Sequence, residues 1–279
     1  QLITSMDAEK VTPFVIFASS IQEERDNAFG KSKRDGRLML EDWAVRRGAS
    51  FSGLILPNVY GPFAKPFNNS FVATFSYQLT HGEVPEVHQD SDVKLVYISN
   101  LCDLIIQKIR TQARKVVRLV SRYEVSWDFQ HKVSEILSLL QQYRELYLKQ
   151  GIIPEMNCRN DYNLFNTFRS YIDLSSHFPV KLDQHPDLLG MLVETSQMGV
   201  GGQLSFFTTF PGATRGNHYH TRSLKRLTVI KGKALVKMRQ TGTDEILEFE
   251  LDGNIPSYVD IPIWHVHNLT NTGEEPLYI

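Results

Sequence analysis

From about residue 203 onward, short apolar runs are cut apart by glycine turns, which leaves this part of the chain little choice but an antiparallel β fold. Leu204, Phe206, Thr208 and Phe210 alternate with smaller or polar residues, and further runs follow at 227–230, 234–238, 246–251, 258–261 and 265–269. Lys231-Gly232-Lys233, Thr241-Gly242-Thr243 and Asp252-Gly253-Asn254 separate them. A period of two puts alternate side chains on a buried face. Closely spaced strands with glycine turns fold as a sandwich or barrel.

The first 110 residues follow another rule. Residues 13–18 are a continuous apolar run that ends in small polar residues, as a buried parallel strand does. Leu38, Leu40, Trp43 and Ala44 recur at helical spacing within 30–47; residues 50–56 read as a second strand, 72–79 as a helix and 93–98 as a strand. Pro57-Asn58-Val59-Tyr60-Gly61-Pro62 reads as a turn-rich loop. Strand and helix in alternation predict an α/β layer with parallel pairing. A complete dinucleotide-binding sheet also needs a glycine-rich turn after its first strand, and none precedes Ala18, so the sequence reads as starting inside that domain. Between the two regions, residues 111–186 read as a helical connector. It holds one helix at about 124–149, faced by Val133, Ile136, Leu137, Leu140 and Tyr143, and another at 163–172.

The formal net charge of -1 over 279 residues gives no reason to expect a nucleic-acid partner. No apolar run approaches the roughly 20 residues of a membrane span. Two distant cysteines, Cys102 and Cys158, fit a reducing compartment. The expectation is a cytoplasmic protein.

His218 and His220 stand two apart in a predicted strand and so face the same way, and His265 and His267 lie in the last long strand. Strands distant in sequence become neighbours in a barrel, so three or four imidazoles can converge. Imidazole suits zinc, iron, nickel or copper, and three ligands with an open position describe a catalytic site. The competing reading is a wet or sugar-binding cavity without metal.

The spacing Gly212, five residues, His218, one residue, His220, eleven residues, Gly232 resembles the first cupin motif. Pro262, four residues, His267, three residues, Asn271 resembles the second. The resemblance implies a metal, zinc first, on His218, His220 and His267. It also implies a glutamate ligand where this chain has Lys225, and a glycine where it has Trp264. The run Pro211-Gly212-Ala213-Thr214-Arg215-Gly216-Asn217-His218-Tyr219-His220 is more specific. It is similar to the bifunctional capsular-polysaccharide enzymes of the CapF family, which join an extended short-chain dehydrogenase/reductase domain to a cupin.

That resemblance implies a partial doubly wound, Rossmann-like domain over 1–110, the connector over 111–186 and an all-β cupin barrel over 187–279. It implies a UDP-linked 4-keto-6-deoxy-N-acetylhexosamine substrate, C3 epimerisation by the cupin and NADPH-dependent reduction at C4, in a homodimer. Ser20 and Lys33 stand at the family's serine and lysine positions, and Pro57 and Asn58 in its substrate-side loop. The tyrosine position is Phe29, which has no proton to give, and the loss of a positioned general acid costs about 10²–10⁴-fold. The reductase is therefore expected to be impaired. His265 is a candidate base or extra ligand, and Lys225 a replacement for the metal's charge. Arg215 and Arg222 are candidate diphosphate contacts, Tyr219 is expected to point outward as a structural residue, and Asp187 and Glu194 stand in an acidic lead-in. The other reading, from another class, is a catalytically degenerate sugar-nucleotide-binding or regulatory homologue.

Overall fold

A computed structural model of the chain describes residues 1–113, 118–182, 185–187, 190–192 and 207–279, the two short pieces by backbone alone. In chain order the elements are α1 (Leu2–Ala8), β1 (Val15–Ser20), α2 (Ala28–Arg47), β2 (Phe51–Leu56), β3 (Asn58–Tyr60), α3 (Phe71–Thr80), β4 (Asp92–Tyr97), α4 (Ile98–Ala113), β5 (Val120–Glu124), β6 (Phe129–Lys132) and α5 (Val133–Tyr143). Then come α6 (Arg159–Arg169), α7 (Leu174–His177), β7 (Val180–Lys181), β8 (His185–Asp187), β9 (Gly190–Leu192), β10 (Thr208–Thr209) and β11 (Thr214–His218). The last strands are β12 (Lys225–Thr228), β13 (Lys233–Gln240), β14 (Leu247–Asp252), β15 (Ser257–Ile261), β16 (His265–Asn271) and β17 (Leu277–Tyr278). The chain divides into one unit of Gln1–Gly61 with His88–Val133 and another of Pro62–Val87 with Ser134–Ile279.

The first unit is the expected α/β layer. Strands β1, β2 and β5 run parallel in that order, while β4 pairs parallel with β3 and antiparallel with β6. Helix α2 begins where the Asn27 side chain accepts from the Gly30 amide at 2.7 Å and ends at Gly48, φ +58, the left-handed position that stops helices. Its apolar face buries Leu40, Trp43 and Ala44 on Phe51 and Met6. A Cβ on Gly30 would overlap the Gln22 carbonyl, so only glycine lets α2 lie against the turn that follows β1. Beneath that turn Glu23 is buried, accepting from Ser19 Oγ at 2.6 Å and Arg37 Nε at 3.0 Å. Burial favours the neutral acid, but the bonds from Arg37 and Ser19 and the Arg37 charge outweigh it and hold Glu23 below its usual pKa.

In the second unit the aromatic face of α6 packs Phe165 and Phe168 on Tyr143. The helix expected over 124–149 starts only at Val133, because residues 120–124 and 129–132 are strands; Arg144–Lys149 continues α5 as a π-helical turn. The pairs beyond are antiparallel: β11-β16-β13-β14 form one sheet, β12-β15-β7 a second and β10-β17 a two-stranded ribbon. Val236 and Met238 of β13, Phe249 and Leu251 of β14, Leu227 of β12 and Val259 and Ile261 of β15 share one core. Burial alternates along β13 and β16, as a half-buried strand requires. The closed barrel expected from the motifs is not what the described residues form: their strands lie in separate sheets around that core. Leu204 and Phe206, read as opening the first strand, and Glu194 lie outside the described residues; of Asp187 only the backbone is described. Among the described residues no helix is long and apolar enough to cross a membrane.

Candidate metal centre and its neighbours

Three imidazoles meet at the end of the four-stranded sheet. β11 pairs antiparallel with β16, and its register slips between Gly216 and His218 to leave His218 opposite His267. The slip is a bulge with Asn217 at φ +62, and Asn268 Nδ2 donates to Asn217 Oδ1 at 2.8 Å to hold it. A Cβ on Gly216 would stand 2.7 Å from the His267 carbonyl oxygen, so the close approach of the two strands needs glycine there. His220 lies two residues past the slip, outside the strand. Strand alternation, the expected reason for a shared face, thus does not place the pair; the bulge and the turn after it do.

The ring nitrogens of His218, His220 and His267 lie within 4.8 Å of one another. His267 is 3% exposed, and its Nδ1 bonds the His265 carbonyl oxygen at 3.3 Å. That bond puts the proton on Nδ1 and a lone pair on Nε2, the backbone second contact of metal-bound histidines. The Nε2 atoms of His267 and His220 are buried without a hydrogen-bond partner. Two partnerless ring nitrogens converging with a third ring describe a cation site, because an unmet buried polar atom is otherwise costly. A metal therefore fits the residues present.

Lys225 on β12 adds charge to this cluster. Burial holds His267 down to about 4; the bond to the His265 carbonyl opposes it, and Lys225 and the neighbouring rings add smaller lowering contributions. Burial, Lys225 and His218 likewise lower His220, and burial lowers Lys225 itself. These two rings are neutral at pH 7 and have no proton to lose before binding a cation.

His265 does not join the cluster. It is buried, its Nδ1 bonds the Ile263 carbonyl oxygen at 3.0 Å, and its ring lies 6.5 Å from Phe63. It lines a separate cavity of about 230 Å³ with Arg169, Asp173, Gln240 and Pro262. Arg215 Nε donates to Thr209 Oγ1 at 3.1 Å, and Arg222 is exposed. Tyr219 is exposed and stacks on Trp264 with centroids 5.6 Å apart and planes 26° from parallel.

Burial pushes both His265 and His177 below the ordinary imidazole value; the Arg169 charge adds to this in His265 and the Arg226 charge in His177. A ring that refuses its proton when folded leaves stability unchanged above the unfolded value near 6.5 and lowers it below, where the unfolded chain takes up the proton. The melting temperature of the metal-free protein is expected to stay level from pH 8 to 7 and fall between 6.5 and 5. A level curve over that interval would mean that the rings protonate in place at their ordinary value, and a rise that folding favours their charged form.

In the other unit, the sequence-expected site residues gather at the carboxyl end of β1. Ser20 closes the strand, and its Oγ accepts from the Gln22 amide at 3.1 Å, capping the turn. Lys33 reaches back along β1 to donate to the Ala18 carbonyl oxygen at 3.1 Å, with its ammonium 5.7 Å from the Phe17 and Phe29 ring centres. The lysine that would face a tyrosine hydroxyl thus meets an apolar ring. Pro57 links β2 to β3, and Asn58 Nδ2 donates to the Lys94 carbonyl oxygen at 3.3 Å, so this stretch is a strand where a loop was expected.

Sequence reasoning missed the ion pair of Arg226 and Asp260 with Tyr147 beside it, and the bulge at Asn217. Gly216-Asn217 inside an alternating run was the available signal for the bulge.

Residues 8–119 match the NAD dependent epimerase/dehydratase family and residues 185–279 the polysaccharide biosynthesis C-terminal domain. Over 267 residues, 95% of this chain and 70% of the relative, the chain is 30% identical to the UDP-2-acetamido-2,6-beta-L-arabino-hexul-4-ose reductase of Pseudomonas aeruginosa. The chain belongs to the family of this reductase. The capsular polysaccharide assembling protein CapF of Staphylococcus aureus shares the architecture, with a TM-score of 0.62 and 27% identity over 99% of this chain and 76% of that one. CapF with the inhibitor 3-isopropenyl-tropolone gives 0.58 and 25% over the same shares. This CapF-like chain therefore combines an epimerase/dehydratase-type region with a polysaccharide-biosynthesis C-terminal region, and the histidine cluster falls in the latter.

Proposed function

We propose that the chain is a sugar-nucleotide C3-epimerase of surface-polysaccharide synthesis, acting on a UDP-linked 4-keto-6-deoxy-N-acetylhexosamine, with its NADPH-dependent 4-reductase step impaired. Residues 187–279 carry the epimerase chemistry in this reading, 1–110 are the reductase-derived portion and 111–186 connect them. The observation that carries the reading is the set of converging imidazole nitrogens, two of them buried without a partner. The relative's name, a reductase of a UDP-linked hexulose, supplies the substrate class.

The hydrogen on C3 is acidic because its loss beside the C4 ketone gives an enolate. Held by His218, His220 and His267, zinc would supply Lewis-acid charge for the ketone oxygen. Lys225 provides a second cation near that oxygen, and burial, by destabilising its ammonium, makes it able to give up or take back a proton. Phe29 supports the impaired reductase, since the ring beside Lys33 at this position carries no hydroxyl to protonate the C4 oxygen.

The test is exchange at C3. In D2O, with the 4-keto sugar nucleotide, mass spectrometry is expected to find one deuterium per turnover, and zinc analysis about one ion per chain. No exchange with tight binding would favour the sugar-nucleotide-binding homologue, the reading that Phe29 and Lys225 support. Lys225→Glu is expected to tighten zinc by about 10–100-fold, the scale on which neighbouring groups tune metal sites; unchanged affinity would place Lys225 outside the cluster's reach.

A further inference from the structure

Trp264 has φ +61, a left-handed backbone that bulky residues rarely adopt and that glycine takes without strain. Its backbone is fixed on both sides, since its N–H donates to the His220 carbonyl oxygen at 2.9 Å and its own carbonyl accepts from the Thr241 amide at 2.8 Å. The indole is not core: it is half-buried, and its partner Tyr219 is 47% exposed. A solvent-facing stack contributes little to folding, so packing does not account for a strained tryptophan where glycine would serve.

The position of the stack does account for it. Tyr219 lies between His218 and His220 in sequence, and the Trp264 N–H donates to the His220 carbonyl oxygen, so the backbones that carry the stack adjoin the histidine cluster. We propose that Trp264 and Tyr219 form an aromatic platform that seats the hexose ring of a sugar nucleotide beside the cluster and so determine which sugars it accepts. The proposal rests on the epimerase reading above. A pyranose offers a face of C–H bonds that packs on an aromatic ring, while its ketone and hydroxyls point to polar partners. The ring that carries the ketone must stand at the cluster. The uracil is set away from it by the diphosphate and ribose, so the group in reach of these two aromatics is the sugar.

The experiment uses Trp264→Gly, which relieves the backbone, and Trp264→Phe, which keeps an aromatic face. Calorimetric titration with UDP-N-acetylglucosamine and with UDP is compared between the variants and the unaltered chain, with zinc measured in each. The expected result is about tenfold weaker binding of UDP-N-acetylglucosamine to Trp264→Gly, with UDP affinity, zinc content and folding kept and most of the loss restored in Trp264→Phe. Equal affinity of Trp264→Gly and the unaltered chain for UDP-N-acetylglucosamine would overturn the platform. An equal loss for UDP and UDP-N-acetylglucosamine would overturn the hexose assignment. No binding of either ligand by the zinc-loaded, unaltered chain would remove the sugar-nucleotide reading itself, a result distinct from both.

Discussion

Replacing Arg226 with methionine is expected to cost the protein about 3–5 kcal/mol, the usual consequence of stranding one partner of a buried ion pair. Arg226 on β12 grips Asp260 on β15 with both arms of its guanidinium, Nε to Oδ1 at 2.9 Å and Nη2 to Oδ2 at 3.0 Å. Asp260 is 1% exposed and also accepts from the Tyr147 hydroxyl. Burial, reinforced by the Asp260 charge, raises the Tyr147 phenol well above its ordinary value, so it stays a donor to the carboxylate. The remaining arm of Arg226 donates to the Gly151 carbonyl oxygen at 3.0 Å, and the guanidinium lies 3.7 Å from the centre of the Tyr258 ring. Methionine fills much of the volume but leaves Asp260 charged and buried with a single donor. Against a total stability of about 5–15 kcal/mol, that is a large fraction. Urea unfolding should therefore show a lower midpoint with an unchanged slope. Removing both charges together, with Arg226→Met and Asp260→Leu, is expected to recover most of the loss, because no charge is then stranded. If the double variant is as unstable as the single, packing on Tyr258 and Tyr147, not charge, holds these elements together.

That pair shows where a sequence stops being legible. Arg226 and Asp260 are 34 positions apart and each looks like a solvated surface charge; only the antiparallel register of β12 on β15 sets them opposite one another. The elements that were legible announce themselves locally. Trp43 and Ala44 recur on the buried face of α2, and Asn27 and Gly48 mark its ends. Ala234, Val236 and Met238 alternate along β13. The elements misread lack such a signal. β5 and β6 are mostly exposed, and so carry no apolar alternation; the apolar recurrence further on drew the predicted helix back over β6 to the last residue of β5. β3 has three residues, hemmed by Pro57 and Gly61, and reads as a loop until β4 is seen beside it.

The histidine cluster was legible for a different reason. Motif spacing named His218, His220 and His267 without knowledge of how the chain brings them together. The mechanism expected for it, strand alternation, fails at His220, and the bulge at Asn217 does the work instead. The same spacing argument admitted His265, which a period of two puts on the face of His267; its ring lies against Phe63 and not with the other three. A shared strand face is a direction, not a distance.

Replacing His267 with alanine is accordingly expected to abolish stable zinc binding, while His265→Ala leaves it in place. His267 is the most buried of the three rings and the one whose tautomer is fixed from behind by a backbone carbonyl. Its removal leaves His218, which is exposed, and His220, which lies outside the strand. Two imidazoles on such a stretch, with the Lys225 ammonium nearby repelling a cation, make a far poorer site than three. A loss of at least about 100-fold in affinity is the expectation, since even groups behind the ligands alter metal affinity by 10–100-fold. Elemental analysis after dialysis should then fall from about one zinc per chain to nearly none. Competition with a chromophoric chelator gives the affinity directly. If His267→Ala keeps its zinc and His265→Ala loses it, the ligand set is centred on the cavity beside Arg169, and the exchange chemistry assigned to Lys225 falls with the cluster. If both variants keep zinc, the metal is held by residues outside these strands. If neither the variants nor the parent chain holds zinc, the partnerless nitrogens of His220 and His267 must be met by water or substrate, and Lys225 is left as the cation that meets the enolate.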